Sequence, residues 1–285
     1  MSEGHGFLEA PRWHEGMLYA SDFFAQAVLR FDQTGTPSVV CKVPGQPSGL
    51  GWGPDGCLLV VSMLDRRLWK FDGDNLREIA DLNGLAPWHA NDMAVDNTGR
   101  CYIGNFGWDE SKHDAIESTV LIRVDPDGTA TAAAEDLVFP NGIVISPDGA
   151  TLLVAETFAG RITAFDRGAD GTLHNRRVWA DFSGGKTFAT VSAALASGAC
   201  LPDGIALADD GTLWVADAAR QGALRVREGG AVVETIPLGK QTAFSVAVGG
   251  ADRDRLFLCA GKPYGSGDPS LEWESRLLWT ETSSR

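Results

Sequence analysis

Short apolar runs alternate with polar, glycine-bearing turns along the whole chain. Six segments share one pattern: a short strand, a turn, and a second strand rich in β-branched and aromatic residues. They read "LEAPRWHEGMLYASD", "SGLGWGPDGCLLVVS", "NDMAVDNTGRCYIGN", "NGIVISPDGATLLVAE", "PDGIALADDGTLWVAD" and, more loosely, "SVAVGGADRDRLFLCA". The turn glycines of the first five are Gly16, Gly56, Gly99, Gly149 and Gly211, and Asp254 stands in that place in the sixth. Between hairpins there is room for two further strands, as in "RRLWKFD" and "NLREIADL", or "GRITAFD" and "RRVWADF". Four strands per unit, with turn glycines 40 to 62 residues apart, predict an all-β, six-bladed β-propeller of four-stranded antiparallel blades. The units use the whole chain, so residues 1–285 are expected to form one domain without a linker. "TVSAALASGACL" is the one helix-like stretch. The widest interval, from Gly149 to Gly211, holds a surplus in "DFSGGKTFATVSAALASGAC", and a smaller one, "GWDESKHDAIES", follows the third hairpin. Insertions in a propeller project from a face, so 182–200 is either a lid or idle surface elaboration.

A repeat also aligns individual positions. Eight residues before the turn glycines lie Ser48, Asn91, Asn141 and Asp203; seven before Gly16 lies Glu9, and the looser sixth alignment gives Ser245. A lone Asn or Asp at a strand entrance usually caps a turn through local hydrogen bonds. Recurrence at one repeat position points instead to a ring around the central channel. Two carboxylates confined there repel, and a bound cation removes the conflict. The amide oxygens then serve as neutral ligands. An all-oxygen set suits one hard divalent ion, Ca²⁺ above Mg²⁺ or Mn²⁺, with Zn²⁺ also admitted. An open site of this kind polarises a carbonyl or phosphoryl oxygen, whereas a purely structural Ca²⁺ on the axis is the alternative.

Composition narrows the partners. The formal net charge of −14 argues against nucleic acid or an anionic membrane surface and otherwise reads as solubility, with room for a cation site; a small-molecule substrate is the expected partner. Five widely spaced cysteines form no CxxC pair, and Cys57, Cys101 and Cys259 fall in strand-like runs, as buried thiols would. The opening "MSEGHGFLEAPRW" has neither a basic nor an apolar signal-like region, and a cytoplasmic location is expected. No GxSxG elbow, HExxH or phosphate-cradling glycine loop offers competing chemistry.

The stretches "GFLEAPRWHEGMLYASD", "HANDMAVDNTGRCYIGNFG", "FPNGIVISPDGATLLVAET", "LPDGIALADDGTLWVADA" and "GGADRDRLFLCAG", in this order from residue 6 to about 261, resemble the gluconolactonase family. This family is also called senescence marker protein or regucalcin-like, and it lies within the calcium-dependent phosphotriesterase group of six-bladed propellers. The resemblance implies that Glu9, Asn141 and Asp203 ligate a divalent metal. It implies that Asn91 faces substrate or supplies a fourth contact, and that Asp92 is an acid beside the site. The implied activity is hydrolysis of a lactone, commonly a sugar lactone; some relatives cleave organophosphate esters. Sugar-lactone members often carry an arginine two residues before the asparagine, where this chain has His89. One imidazole cannot match the donor fork of a guanidinium. With Trp88, Phe106 and Trp108 as neighbours, the rim is expected to be apolar and the substrate a less hydroxylated lactone or ester. Few residues precede Glu9, so "SRLLWTETSS" is expected to share in closing the last blade.

These readings give a metal-dependent lactonase in which Asp203 or Asp92 helps to activate water, His89 serves the leaving oxygen or orients substrate, and Asn91, His89, Trp88, Phe106 and Trp108 bind substrate. The alternatives are phosphotriester hydrolysis, non-hydrolytic chemistry at the same metal site, and a non-catalytic propeller that binds proteins.

Overall fold

The computed structural model describes residues 1–220, 222–263, 266 and 270–282. It contains six sheets of four antiparallel strands, arranged as a six-bladed β-propeller. Blade one is typical in its order, running outward from Leu8–His14 through Met17–Asp22 and Ala27–Phe31 to Pro37–Lys42. The first strands of the blades are Leu8–His14, Pro47–Trp52, Ala90–Val95, Pro140–Ile145, Pro202–Leu207 and Thr242–Gly249. Each of these packs against the next, and the sixth returns to the first, so together they line the axis.

The strand pattern follows from where each face is buried. Second strands such as Leu58–Ser62 and Leu213–Asp217 are buried at every position because both faces meet a neighbouring blade. Apolar clusters fill each gap between blades. One joins blades two and three through Val61, Leu68, Met93 and Ile103; another joins blades six and one through Leu8, Leu29, Phe257 and Cys259. Cys101 and Cys259 are buried strand residues as expected, whereas Cys57 sits half-buried just before Leu58–Ser62.

Blade six takes three strands from one end of the chain and its outermost strand from the other. Ser2–His5 pairs with Ser275–Glu281, with Ser2 opposite Leu277 and His5 opposite Ser275. The closure is therefore shared: "SRLLWTE" supplies the third strand, and four residues suffice for the outer one. The last two residues of "SRLLWTETSS" lie outside the described residues.

The helix-like stretch forms the helix Val191–Ala196, capped by the Thr190 side chain, which accepts from the Ala193 N–H. The two insertions zip together. Ala115 bridges Thr190, the Val191 N–H donates to the Asp114 carbonyl, and the Ser192 N–H donates to the Asp114 carboxylate. Among the described residues no helix is long and apolar enough to cross a membrane.

Candidate active site

Each first strand carries a register irregularity at its entrance: between Glu9 and Arg12, Pro47 and Leu50, Ala90 and Met93, Pro140 and Ile143, Pro202 and Ile205, and Ala243 and Ser245. Such a bulge re-aims the side chains beside it. The ring positions Ser48, Asn91, Asn141, Asp203 and Ser245 lie within or at the edge of these bulges. In blade one the bulge falls after Glu9, at Ala10 (φ 47°), so the acid stands one place earlier on a side chain one methylene longer than aspartate. The turn of this hairpin, where His14 pairs with Met17, is one residue shorter than that of blade two, which gives seven rather than eight residues before its turn glycine.

The glycines that follow ring residues are required by close approach. A Cβ on Gly142, after Asn141, would lie 2.5 Å from the Asp203 carbonyl, and one on Gly204, after Asp203, 2.0 Å from the Ser245 hydroxyl. Backbones of successive first strands thus nearly touch, which draws the ring tight. Blade three replaces that glycine with Asp92. Its buried carboxylate accepts from Arg12 Nη2 at 2.5 Å, while the same guanidinium donates to the Met93 carbonyl at 2.8 Å and the Leu50 carbonyl at 3.1 Å. Arg12 thereby ties blade one to blades two and three.

The charges at the ring are not balanced. Burial, then the Asp92 charge, pushes the Glu9 carboxyl up to about 8, against the backbone N–H of Ala10 and the Arg12 charge. Burial, then repulsion by Glu9 and Asp92, raises Asp203 well above the usual carboxylate range. Asp92 is raised by burial and held back by Arg12. Asp203 Oδ1, Asn91 Nδ2 and Ser245 Oγ are buried without hydrogen-bond partners, an arrangement that points to a ligand rather than to a structural cap. Asn141 spends its nitrogen on Thr157 Oγ1 at 3.2 Å, which leaves its oxygen free.

Glu9, Asn91, Asn141 and Asp203 form part of the lining of a cavity of about 400 Å³. Phenylalanine makes up most of its apolar lining. Phe7, Phe23 and Phe244 come from blades one and six; Phe106, Phe139 and Phe158 come from blades three and four, with His89 beside Phe106 at 5.5 Å. His89 and Phe106 therefore lie where the sequence places them. Trp88 and Trp108 do not line the cavity. Trp88 stacks against His89 at 4.5 Å and carries Lys112 over its ring, and Trp108 is buried behind Phe139 and Phe158, where it supports the wall. Asp92 is also absent from the lining, because Arg12 holds it. Leu195 of the helix forms part of the wall, which fixes the 182–200 insertion at the cavity's edge.

Buried acids at the ends of second strands pin the wall loops. Asp22 accepts from the N–H groups of Gly6, Phe7 and Ala25, Glu156 from that of Val138, and Asp217 from those of Leu201 and Ala219. Glu156 also receives Arg161 at 2.9 Å and Arg176 at 3.3 Å.

Residues 7–262 match the model of the SMP-30/Gluconolactonase/LRE-like region. The chain belongs to this family. Among its relatives are a 6-deoxy-6-sulfogluconolactonase of Pseudomonas putida, 26% identical over 93% of this chain and 87% of that protein, and a pentonolactonase of Haloferax volcanii, 29% identical over 91% and 83%. A solved gluconolactonase of Xanthomonas campestris superposes with a TM-score of 0.69 at 25% identity, covering 96% of this chain and 85% of that one.

For this member of the gluconolactonase family, the donor set fits a hard divalent ion. Two like-charged carboxylates share the floor with two amides, all four offer oxygen, and one buried carboxylate oxygen has no partner. Among the described residues no three His, Cys, Asp or Glu side chains gather as a metal cluster, since half of this set is amide. Sequence reasoning missed Arg12, although it sits in the quoted "EAPRW". It also missed Glu110, a cavity residue from the first insertion whose buried Oε2 lacks a partner and whose carboxyl is raised by burial.

Proposed function

We propose that this protein is a lactonase whose hydrolytic site is the ring at the cavity floor. Glu9, Asn141 and Asp203 would hold one divalent cation, Ca²⁺ above Mg²⁺, Mn²⁺ or Zn²⁺, with Asn91 as a fourth contact or a contact to substrate. When bound, such an ion offsets the two negative charges and polarises the carbonyl to be attacked. The observation that carries the reading is the convergence of two mutually repelling carboxylates and two amides on one cavity, with Asp203 Oδ1 unpartnered.

The chain's own groups then have distinct tasks. Asp203, whose ionised form such a cation would favour, takes a proton from the water that attacks the lactone carbonyl carbon. The Asn91 N–H, buried and free, donates to the carbonyl oxygen as it gains charge. The ring C–O bond breaks, and the proton passes to the departing oxygen, giving a hydroxy acid. Burial pushes the His89 imidazole below its ordinary value, so at pH 7 it is neutral and can hydrogen-bond that oxygen. Asp92, locked by Arg12, supports the floor rather than meeting the water.

Acid release from simple γ- and δ-lactones and from aldonolactones tests this, using metal-stripped protein and protein resupplied with each cation. Turnover that appears only on resupply is expected. Full turnover of stripped protein would overturn the metal role, and silence on every lactone with every cation would overturn the lactonase.

A further inference from the structure

We propose that the substrate is a neutral lactone bearing an apolar alkyl or aryl substituent, seated between the two phenylalanine walls of the cavity. This rests on the lactonase reading of the same site. The walls belong to opposite sides of the propeller. Phe7 lies 4.8 Å from Phe244 and 5.3 Å from Phe23 on one side; Phe139 lies 4.5 Å from Phe106 and 4.9 Å from Phe158 on the other. Blades one and six face blades three and four across the axis, so the floor's polar groups stand at the base of an aromatic slot. A cavity of about 400 Å³ takes a lactone ring together with a substituent.

Two lining hydroxyls that could serve a polyol, those of Thr157 and Ser275, are already committed. The Thr157 hydroxyl donates to the Pro202 carbonyl at 2.8 Å while accepting from Asn141. The Ser275 hydroxyl accepts from the Leu8 N–H at 2.9 Å and points its own donor to the Ala260 carbonyl. Sugar hydroxyls pressed against phenyl faces would lose water without replacement, which opposes binding. An anionic substituent fares no better. Among the described lining residues Lys262 is the one cation, and it pairs with Glu272 at 2.5 Å and Glu274 at 3.4 Å. A divalent ion would offset Glu9 and Asp203, yet Glu110, Glu272 and Glu274 would still face the substituent.

The test is kcat/KM of the cation-loaded protein on δ-lactones whose ring carbon next to oxygen carries no substituent, propyl or hexyl, beside dihydrocoumarin, gluconolactone and a 6-sulfo analogue. Burial of each methylene is expected to raise kcat/KM about threefold to fourfold over the first three or four carbons. Gluconolactone and its sulfo analogue should fall below the unsubstituted ring. Phe23→Ser and Phe106→Ser, one from each wall at half-buried positions, should flatten the slope, a ratio that does not depend on how much protein folds. A flat or falling series with gluconolactone best would overturn the proposal. If no lactone is turned over, the matching series of lactams is titrated by calorimetry. The same chain-length increment in affinity would uphold the apolar slot although the lactonase reading had failed, and no increment would overturn it.

Discussion

Glu9 and Asp203 stand at the entrances of first strands, and Asp22 and Glu156 at the ends of second strands in the same layer of the propeller. All are acids largely enclosed by protein, yet their surroundings differ. Around Asp22, burial alone would raise the carboxyl, but His5 and the N–H groups of Ala25, Phe7 and Gly6 hold it below its ordinary value. Around Glu9, burial and the Asp92 charge push the carboxyl up to about 8. A buried acid whose lone pairs meet backbone donors organises the loops next to it. A buried acid left facing other acids stores unmet charge that a cation can use. Sequence type alone does not separate the two; the partner atoms do.

The sharpest way to break this contrast is to neutralise one acid from each set. Glu9→Gln or Asp203→Asn should lower kcat by about 10³-fold, on the order of 4 kcal/mol, with the fold retained. In metal-free protein Asp203→Asn should raise the melting temperature at neutral pH, because folding no longer has to bind the proton that the raised Asp203 carboxyl keeps. Asp22→Asn or Glu156→Gln should do the reverse, costing about 2–3 kcal/mol in urea titrations while the folded fraction keeps its kcat. If the two sets behaved alike, the distinction would be wrong.

Arg12→Met sharpens it from another side. Leaving the Asp92 carboxylate buried without its partner should cost about 3 kcal/mol, and adding Asp92→Leu should restore most of the loss. An intact protein after the single change would show that the pair is dispensable.

Gly204→Ala places a methyl against Ser245 and should cost about 1–3 kcal/mol, and on the proposed metal role it should also weaken binding of added cation as the ring is pushed apart. Calorimetric metal titration beside thermal melting separates the two effects.

A pH trend tests the same contrast without any substitution. Glu9's carboxyl in the fold lies near 8 against an ordinary 4.5, so between these values the folded state holds the proton that the unfolded chain has released. Stability present below pH 4.5 is therefore lost as pH rises toward 8, and thermal melts across this window read the loss. Saturating cation should flatten that slope, since the ionised form is then the favoured one. A metal-free protein whose stability rises over this window would contradict the unmet charge.

Much of the molecule is legible in one dimension. Blade number, strand order and the placing of Glu9, Asn91, Asn141 and Asp203 around one axis follow from local periodicity repeated along the chain, because a repeat carries each position to an equivalent place. Local signals also locate His89 and Phe106 beside the ring. They fail for Trp88 and Trp108, since adjacency in sequence does not say which ring faces the cavity and which is packed behind it. Relations between blades lie beyond periodicity. Arg12 and Asp92 are 80 residues apart and meet only because blades one and three approach across the channel. Phe7, Phe23 and Phe244 become one wall only when the propeller closes on itself. The glycines after Asn141 and Asp203 carry a packing demand that shows only against the neighbouring strand. The repeat thus determined which residues share a ring, while tertiary closure decided which partners they meet, because partner atoms set the charge, burial and hydrogen bonding of each group.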